Sequence, residues 1–343
     1  MYSINKHNVA GKEFVFIEIV LDNIEVLLMD YGATILNIKT RDKKGNLESV
    51  VIGYNKLSSY IENETFFNAT VAPYAGRISK AEFTLNDTVY KLDENHLDTE
   101  CLHSGGDTLS FSCFDYEVIE KDDCVEVLFS IHKKEGKFPG NQDYTIAYKI
   151  YGTTVEMNYL VTTDKDTLMN ITNHAYFNLS GNLSKTIMDH KVYINSSKAL
   201  QLNDKFSPQG IYDSRGTHLD FKEMKKVKDN FFDGIYDLNE KGIDNPLLLD
   251  EVGLDIKQVE MIDEDSGRTL EVYTSYPCVV CYTHNHINEK KLLFDKDHVR
   301  HMGICFEMQY EPNGINVEGL NDSILRKGEE YNQTIIFTFG IKE

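Results

Sequence analysis

The chain contains 343 residues, of which 41% are hydrophobic, and this is enough to build a sizeable core in one large domain or two ordinary ones. Its formal net charge of −20 argues against nucleic acids and anionic membrane surfaces as partners, because both require clustered lysine and arginine. The same charge disfavours a strongly anionic substrate.

Alternation of apolar and polar residues dominates the chain and is typical of half-buried β-strands. In chain order, the strands that it predicts span residues 14–20, 25–29, 125–131, 144–151, 155–161, 270–273, 278–282 and 334–339. Asp22-Asn23 predicts a turn between the first two strands, and Gly152 predicts a hairpin between the fourth and fifth. We also expect residues 270–273 and 278–282 to pair with each other around Pro277.

Helical signals are few. Residues 220–230 are polar and lysine-rich and predict one exposed helical turn or a loop, and residues 255–261 predict another short turn. Strands do not alternate with helices, and the chain has no internal repeat and no proline-, glycine- or serine-rich linker. We therefore predict one all-β domain over residues 1–343, with two large antiparallel sheets packed face to face in a β-sandwich.

The N-terminal residues 1–7 carry no apolar signal segment, and no stretch approaches the roughly 20 apolar residues of a membrane span. In a chain of this length, the six cysteines are expected to be buried reduced thiols rather than a disulfide framework. These features predict a cytoplasmic protein that does not enter a membrane.

Two histidines and one glutamate interrupt otherwise strand-like sequence. His174 lies in an asparagine-rich segment, and His103 precedes Ser104-Gly105-Gly106, whose glycines allow a close backbone approach and unusual φ values. Glu307 lies in an apolar strand, where a carboxylate is costly to bury without a partner. The alternatives are a hydrogen-bonded core histidine at 174 and a plain tight turn after 103. If the fold brings these residues together, two imidazoles and a carboxylate without a cofactor motif indicate proton transfer in both directions.

Two further charged residues are candidates for ligand binding. Arg77 precedes a predicted strand, where a guanidinium is suited to binding hydroxyls or orienting a carboxylate, although a surface ion pair is the common alternative. Asp244 lies two residues before Pro246, where an aspartate often only builds a turn. The remaining histidines are expected at the surface, and they include His284, His286, His298 and His301.

A metal site is an alternative, because two histidines and a carboxylate are also the ligands of facial-triad iron sites. The three candidates show no short metal-ligand spacing, so we predict no metal. Cys278 and Cys281 are separated by two residues within a predicted strand and therefore point to opposite faces, which disfavours joint chelation. The chain has no nucleotide-binding or serine-hydrolase motif, so we predict no cofactor.

Seven segments occur in a characteristic order along nearly the whole chain. They are Asp30-Tyr31-Gly32-Ala33-Thr34-Ile35, Ile52-Gly53-Tyr54, Ala72-Pro73-Tyr74-Ala75-Gly76-Arg77-Ile78, Leu102-His103-Ser104-Gly105-Gly106, Asn173-His174-Ala175-Tyr176-Phe177-Asn178-Leu179, Gly242-Ile243-Asp244-Asn245-Pro246 and Gly303-Ile304-Cys305-Phe306-Glu307-Met308-Gln309. In this order they resemble the aldose 1-epimerase (galactose mutarotase) family. The family's usual Leu-His-Gly-Gly carries the additional Ser104 here, which is expected to shift the His103 loop slightly. Members often have histidine where this chain has Asn245.

The resemblance implies a large antiparallel β-sandwich, the galactose mutarotase-like supersandwich, with an open sugar-binding cleft. It implies an isomerase that interconverts the α and β anomers of free hexoses such as D-galactose and D-glucose, without a cofactor, as a monomer or homodimer. By motif match, Glu307 is the general base and His174 the general acid. His103 is expected to share the acid role. The motif match also implies that Arg77 and Asp244 bind and support the sugar and that the Tyr282 ring packs against it.

Two other functions are compatible with such a fold. A hexose-6-phosphate 1-epimerase would need basic residues around the phosphate, and the segments near the candidate site supply only Arg77. A non-catalytic sugar-binding protein would be free to lose the acid–base pair, whereas His174 and Glu307 are both present.

Overall fold

A computed structural model describes residues 1–230 and 242–342, and within them the chain forms β-strands joined by loops and 3-10 turns. In chain order, the strands of these residues are β1 (Tyr2–Val9), β2 (Lys12–Val20), β3 (Ile24–Met29), β4 (Thr34–Arg41), β5 (Leu47–Ser49), β6 (Thr70–Val71), β7 (Arg77–Ile78), β8 (Glu82–Leu85), β9 (Thr88–Lys91), β10 (Cys101–Leu102), β11 (Asp115–Glu120), β12 (Cys124–Lys133), β13 (Gln142–Tyr151), β14 (Thr154–Thr163), β15 (Thr167–Leu168), β16 (Thr172–Asn173), β17 (Tyr176–Phe177), β18 (Lys191–Ile194), β19 (Ser196–Leu202), β20 (Pro208–Asp213), β21 (Lys225–Lys226), β22 (Asp244–Leu249), β23 (Val259–Ile262), β24 (Arg268–Thr274), β25 (Cys278–Tyr282), β26 (Ile304–Gln309), β27 (Ile324–Leu325) and β28 (Glu330–Ile341).

The 3-10 turns of the same residues are Leu57–Tyr60, Ser79–Ala81, Gly105–Asp107, Leu109–Phe111, Ile187–Asp189, Val227–Asn230, Leu293–Asp295 and Gly314–Asn316. Across the described part of the chain, no helix has both the length and the apolar character needed to cross a membrane.

Three large sheets dominate the architecture. Strands β1 to β5 form a sheet in sequential order. A nine-stranded sheet has the order β11-β12-β13-β14-β28-β24-β23-β18-β21, and a six-stranded sheet has the order β17-β26-β25-β22-β19-β20. Neighbouring strands within these sheets run antiparallel. The prediction of an all-β, antiparallel sandwich is therefore confirmed, with a third sheet added to the two that were expected.

Several local predictions are also confirmed. Strands β2 and β3 pair on either side of the Asp22-Asn23 turn, and β13 and β14 form a hairpin around Gly152. The segment 220–230 ends in the 3-10 turn Val227–Asn230, although Val227 is buried rather than exposed. The segment 255–261 was predicted as a turn, but its last residues already belong to β23, so this prediction is partly wrong.

The predicted pairing of residues 270–273 with 278–282 is wrong. Strand β24 lies between β23 and β28 in the nine-stranded sheet, whereas β25 lies between β22 and β26 in the six-stranded sheet. The three residues between them carry the chain from one sheet to the other, and Tyr276 among them is completely buried. Burial of this large side chain between the sheets accounts for the crossing, because a hairpin turn would leave it exposed.

The main core is shared by all three sheets. Its buried members include Ile17 of the first sheet, Ile146 and Phe337 of the nine-stranded sheet, and Phe306 and Met308 of the six-stranded sheet. Each fully buried side chain of this size contributes about 1.5–3 kcal/mol of hydrophobic stabilisation. Since side chains alternate along a strand, the neighbours of Phe306 and Met308 point to the opposite face of β26. That face carries the candidate site.

Candidate active site

The floor of the site is the face of the six-stranded sheet that points away from the main core. Pairing of the central strands aligns side chains in rows across this face, because directly opposite residues share one side of an antiparallel sheet. The first row is Asp244, Tyr282, Cys305 and Tyr176, and the second is Pro246, Val280 and Glu307. The rows bring carboxylates from β22 and β26 to one surface.

His174 is held above this floor by its backbone and by aromatic rings. Its N–H donates to the carbonyl of Ala69 at 2.9 Å, and its carbonyl accepts from the N–H of Asn68 at 3.0 Å. The imidazole stacks on Tyr176, with ring centres 5.0 Å apart and planes inclined by 21°, and Phe66 stacks at 6.2 Å. These contacts fix the orientation of the ring and leave its edge to make polar contacts.

His103 is positioned by the backbone of Gly76. The N–H of His103 donates to the Gly76 carbonyl at 3.1 Å, and the N–H of Gly76 donates to Nδ1 of His103 at 3.2 Å. Gly76 has a φ of +80°, and a Cβ at this position would approach the Pro312 Cβ to 2.6 Å, so a glycine is required for this close approach. A ring nitrogen that accepts a hydrogen bond carries no proton, so neutral His103 has its proton on Nε2.

Ser104, the residue that distinguishes this loop from the family pattern, is buried and hydrogen-bonded. His103 and Ser104 both have left-handed backbones, with φ values of 50° and 69°. The buried hydroxyl of Ser104 accepts from the N–H of Tyr74 at 2.8 Å and donates to the carbonyl of Tyr74 at 3.0 Å. Ser104 therefore anchors the His103 loop to the segment that leads into Arg77.

The fold brings His103, His174 and Glu307 together, with one nitrogen or oxygen from each lying within 4.8 Å of the others. All three are buried, with exposed fractions of 6%, 5% and 4%. Nε2 of His174 lies 3.4 Å from Oε1 of Glu307. Two groups that can exchange a proton therefore face each other directly.

The same three residues have the composition of a facial metal triad, but the tautomer of His103 fits a hydrogen-bond donor better. A histidine that ligates a metal through Nε2 normally donates its Nδ1 proton to a partner. Here Nδ1 of His103 accepts from Gly76, so ligation through Nε2 would break that hydrogen bond. The arrangement directs an N–H towards the other two groups.

Burial sets the protonation of the pair. It raises the pKa of Glu307 to about 8, with a further rise from the Asp244 carboxylate that the Arg77 cation partly offsets. Burial also lowers the pKa of His174 to about 4. Near neutral pH the site therefore favours protonated Glu307 beside neutral His174 over an ion pair, because a low-dielectric site penalises both charges. The pair still holds one proton and no net charge.

Arg77 and Asp244 form an ion pair in the same cleft. Nη2 of Arg77 lies 3.0 Å from Oδ2 of Asp244, and both side chains are largely buried. The guanidinium also lies over the ring of Phe206, with its carbon 5.4 Å from the ring centre. The ion pair leaves other N–H groups of Arg77 and the second oxygen of Asp244 to bind hydroxyls.

Tyr282 presents its ring rather than its hydroxyl to the cleft. The hydroxyl oxygen accepts from the backbone N–H groups of Asn285 and His286, both at 3.0 Å. The ring lies edge-on to His174, with centres 6.5 Å apart. Tyr282 is therefore suited to packing against a ligand.

The cleft has a volume of about 290 Å³, which suits one small molecule. It is lined by Glu64, Thr65, Phe66, Gly76, Arg77, His96, Leu102, His103, His174, Tyr176, Phe206, Pro208, Asp244, Pro246, Val280, Tyr282, His286, Glu307 and Pro312. All six residues singled out from the sequence lie in this cleft, while their chemical roles stay predictions. Sequence reasoning missed Phe66, Phe206 and His96, because no local pattern marks loop residues that the fold carries to a distant site.

Sequence reasoning also missed Cys305, whose Sγ lies 3.5 Å from Nδ1 of His174. Its place two residues before Glu307 on one strand was a usable signal, because such residues share a face. The expected surface location is wrong for His284 and His298, which are both buried. Their Nε2 atoms lie 2.8 Å apart, and this hydrogen bond compensates for their burial beneath Phe67.

Fold and site together define a β-sandwich protein with a buried histidine–glutamate pair in a small cleft. The family model described as aldose 1-epimerase matches residues 17–338, and the chain belongs to this family. A galactose mutarotase from Mus musculus is 29% identical over 324 residues, covering 93% of this chain and 92% of the relative. An aldose 1-epimerase from Escherichia coli strain K12 is 28% identical over 322 residues, covering 92% and 91%.

Solved structures show the same fold. The crystal structure of a galactose 1-epimerase from Lactobacillus acidophilus NCFM superposes with a TM-score of 0.87 at 22% sequence identity, covering 100% of this chain and 99% of that one. A GalM/aldose epimerase homologue from C. elegans superposes with a TM-score of 0.86 at 24% identity, covering 96% and 99%.

Proposed function

We propose that this chain is an aldose 1-epimerase, which interconverts the α and β anomers of free hexoses such as D-galactose and D-glucose. The observation that carries this proposal is the buried pair of His174 and Glu307, whose polar atoms face each other at 3.4 Å. Mutarotation needs one group to take a proton and one to give a proton at two oxygens bonded to the same carbon. The names of the relatives support the same activity.

The reaction begins with the closed sugar ring in the cleft. Glu307 removes the proton from the C1 hydroxyl while His174 delivers a proton to the ring oxygen O5. The C1–O5 bond then breaks, and C1 becomes an aldehyde carbon. Rotation about C1–C2 presents the other face of the carbonyl, and ring closure returns the proton from Glu307 to O1 and the proton from O5 to His174. The sum is a change of anomer with no net transfer of protons or electrons.

Burial affects both proton transfers of the pair. The acid and base roles require an imidazolium beside a carboxylate, whereas burial raises the pKa of Glu307 and lowers the pKa of His174 and so favours the neutral tautomer. The proton of Glu307 therefore passes to His174 across the 3.4 Å contact before the ring opens. Ring opening then returns the pair to a neutral imidazole and a carboxylic acid, the state that its low-dielectric surroundings favour.

The other cleft residues bind and orient the sugar in this proposal. His103 donates its Nε2 proton to O5 or to a neighbouring hydroxyl and shares the acid role. Arg77 and Asp244 bind hydroxyls while holding each other in place at 3.0 Å. The ring of Tyr282 packs against the apolar face of the sugar.

A free sugar is favoured over a sugar phosphate as the substrate. Among the described residues that line the cleft, Arg77 is the single lysine or arginine, and it is paired with Asp244. A phosphate would meet little uncompensated positive charge and would lie near the acidic side chains of Asp244 and Glu64.

We further propose that residues 1–343 act as one domain in the cytoplasm, as a monomer or homodimer, without nucleic acid or membrane partners. The six cysteines are all unpaired, which is the state expected in a reducing compartment. The net charge of −20 supports the absence of polyanionic partners.

Polarimetry tests the proposal. Freshly dissolved α-D-galactose and α-D-glucose should reach their equilibrium rotation much faster with the protein than without it. Glucose 6-phosphate should compete poorly. If neither sugar equilibrates faster, free-hexose mutarotation is refuted. If glucose 6-phosphate is the preferred substrate or competitor, the phosphorylated-sugar function is favoured instead.

A further inference from the structure

His96 is one of four histidines that line the cleft, and the proposed mechanism does not use it. Its side chain is half-buried and lines the same cleft as His174 and Glu307. Its Nε2 atom is enclosed, with no hydrogen-bond partner among the described residues. A buried polar nitrogen without a hydrogen-bond partner is energetically unfavourable. Its presence in the wall of a cleft therefore suggests that a bound ligand supplies the partner.

The turn that carries His96 is held firmly against the His103 strand. The side-chain amide of Asn95 makes two hydrogen bonds to the backbone of Leu102. Its oxygen accepts from the Leu102 N–H at 2.8 Å, and its nitrogen donates to the Leu102 carbonyl at 3.0 Å. His96 itself forms a bridge with Glu100, with N–H to carbonyl distances of 3.1 Å and 2.9 Å. The backbone of His96 is therefore fixed relative to the catalytic loop.

The same turn contains a strained residue. Leu97 has a φ of 47°, a left-handed conformation that is unfavourable for a leucine, and its side chain is exposed. The leucine side chain gains little burial in return. Leu97 and Asp98, which has a φ of 61°, together form the tight turn that closes the bridge between His96 and Glu100.

The charge state of His96 suits a hydroxyl. Burial and the nearby Arg77 cation lower the pKa of His96 to about 4, with partial compensation from Asp244. The ring is therefore neutral near pH 7 and offers one N–H donor and one acceptor nitrogen. The Nε of Arg77 is likewise enclosed without a partner among the described residues, and it can only donate. A hydroxyl, which both donates and accepts, complements a neutral imidazole beside a guanidinium.

We propose that His96 is a substrate-contacting residue that, together with Arg77, binds one sugar hydroxyl other than the anomeric one and thereby sets which aldoses the cleft accepts. This inference rests on the proposed mutarotase function. Rotation about the broad χ2 torsion of histidine brings the enclosed nitrogen to the hydroxyl when the sugar enters. The contact is made equally before and during ring opening, so it contributes to binding rather than to the chemical step.

The test compares wild type, His96→Ala and His96→Gln by polarimetry on D-galactose and on its 2-, 3-, 4- and 6-deoxy analogues. His96→Ala should raise KM for galactose roughly tenfold and leave kcat within about twofold of wild type. His96→Gln should recover most of the affinity, since its amide also donates and accepts. On the one deoxy sugar that lacks the partner hydroxyl, wild type and His96→Ala should have the same KM.

Leu97→Gly is the matched control, because glycine accepts the left-handed backbone and leaves His96 in place. Its KM should equal that of wild type. An unchanged KM in His96→Ala overturns the inference. An equal loss of affinity on all five sugars also overturns it, because that pattern indicates a structural role. Failure of wild type to accelerate any of the five sugars overturns the proposed function and this inference with it.

Discussion

Replacement of Glu307 by glutamine should make the protein more stable at alkaline pH. In the folded state burial raises the pKa of this carboxyl from its ordinary 4.5 to about 8. Between these values the folded state holds a proton that the unfolded state has released, so stability conferred at low pH is lost as the pH rises. Above pH 8 the wild type must bury a charge, whereas the Glu307→Gln variant buries only an amide.

The size of this stability difference follows from the difference between the pKa values of Glu307 in the folded and unfolded states. At about 1.4 kcal/mol per pKa unit, the free-energy penalty reaches roughly 5 kcal/mol at pH 9 and is only about 1 kcal/mol at pH 5. The variant and the wild type should therefore have similar free energies of unfolding at pH 5 and should differ by several kcal/mol at pH 9. Other titrating groups affect both proteins alike and cancel in the difference.

Urea-induced unfolding, followed by far-UV circular dichroism from pH 5 to pH 9, measures this difference. Tyrosine emission offers a second probe, because the chain has 20 tyrosines and no tryptophan. Glu64→Gln is the control, since Glu64 lines the same cleft but is exposed and should change stability by less than about 1 kcal/mol. Parallel stability curves for wild type and Glu307→Gln across this range would refute a buried carboxyl with a raised pKa.

Two further predictions concern the pair and its support. The kcat/KM for mutarotation should be flat from about pH 4 to about pH 8 and should fall on either side of this range. The reason is that the pair of Glu307 and His174 holds a single proton only between these pH values. A steady rise in kcat/KM beyond pH 8 would contradict a proton shared by the pair. Gly76→Ala should destabilise the protein by more than about 1 kcal/mol in thermal unfolding and should lower kcat. The new Cβ meets Pro312 and displaces the N–H that is bonded to His103. An unchanged melting temperature and an unchanged kcat would show that the close approach of Gly76 to Pro312 is not required.

The strands were predictable because alternation of apolar residues reports which face of a strand is buried. The order of the strands in the sheets was not predictable, since the alternation of apolar and polar residues around Pro277 is the same for a hairpin and for a crossing between two sheets. Only the burial of Tyr276 between the sheets distinguishes the two. The burial of His284 and His298 was not predictable either, because the hydrogen bond between them joins residues 14 positions apart in the sequence. This bond replaces the hydrogen bonds to water that an exposed histidine makes.

The candidate site was predictable to the extent that family motifs carry it. Glu307 alone stood out on physical grounds, as a carboxylate inside an apolar strand. No local signal placed Phe66 against His174 or His96 on the cleft wall, because those contacts depend on how loops from separate sheets converge. Ser104, which was expected to shift the His103 loop slightly, anchors the loop by two hydrogen bonds to Tyr74.

The central claim, that Glu307 and His174 act as one proton-sharing pair, is tested most directly by polarimetry on α-D-galactose with Glu307→Gln, His174→Asn and the double variant. Each single variant should remain folded by circular dichroism and lose about 100- to 10,000-fold in kcat. The double variant should be no slower than the slower single variant, because removing either member disables the pair. Near-normal turnover by folded Glu307→Gln, or losses that multiply in the double variant, would contradict the claim.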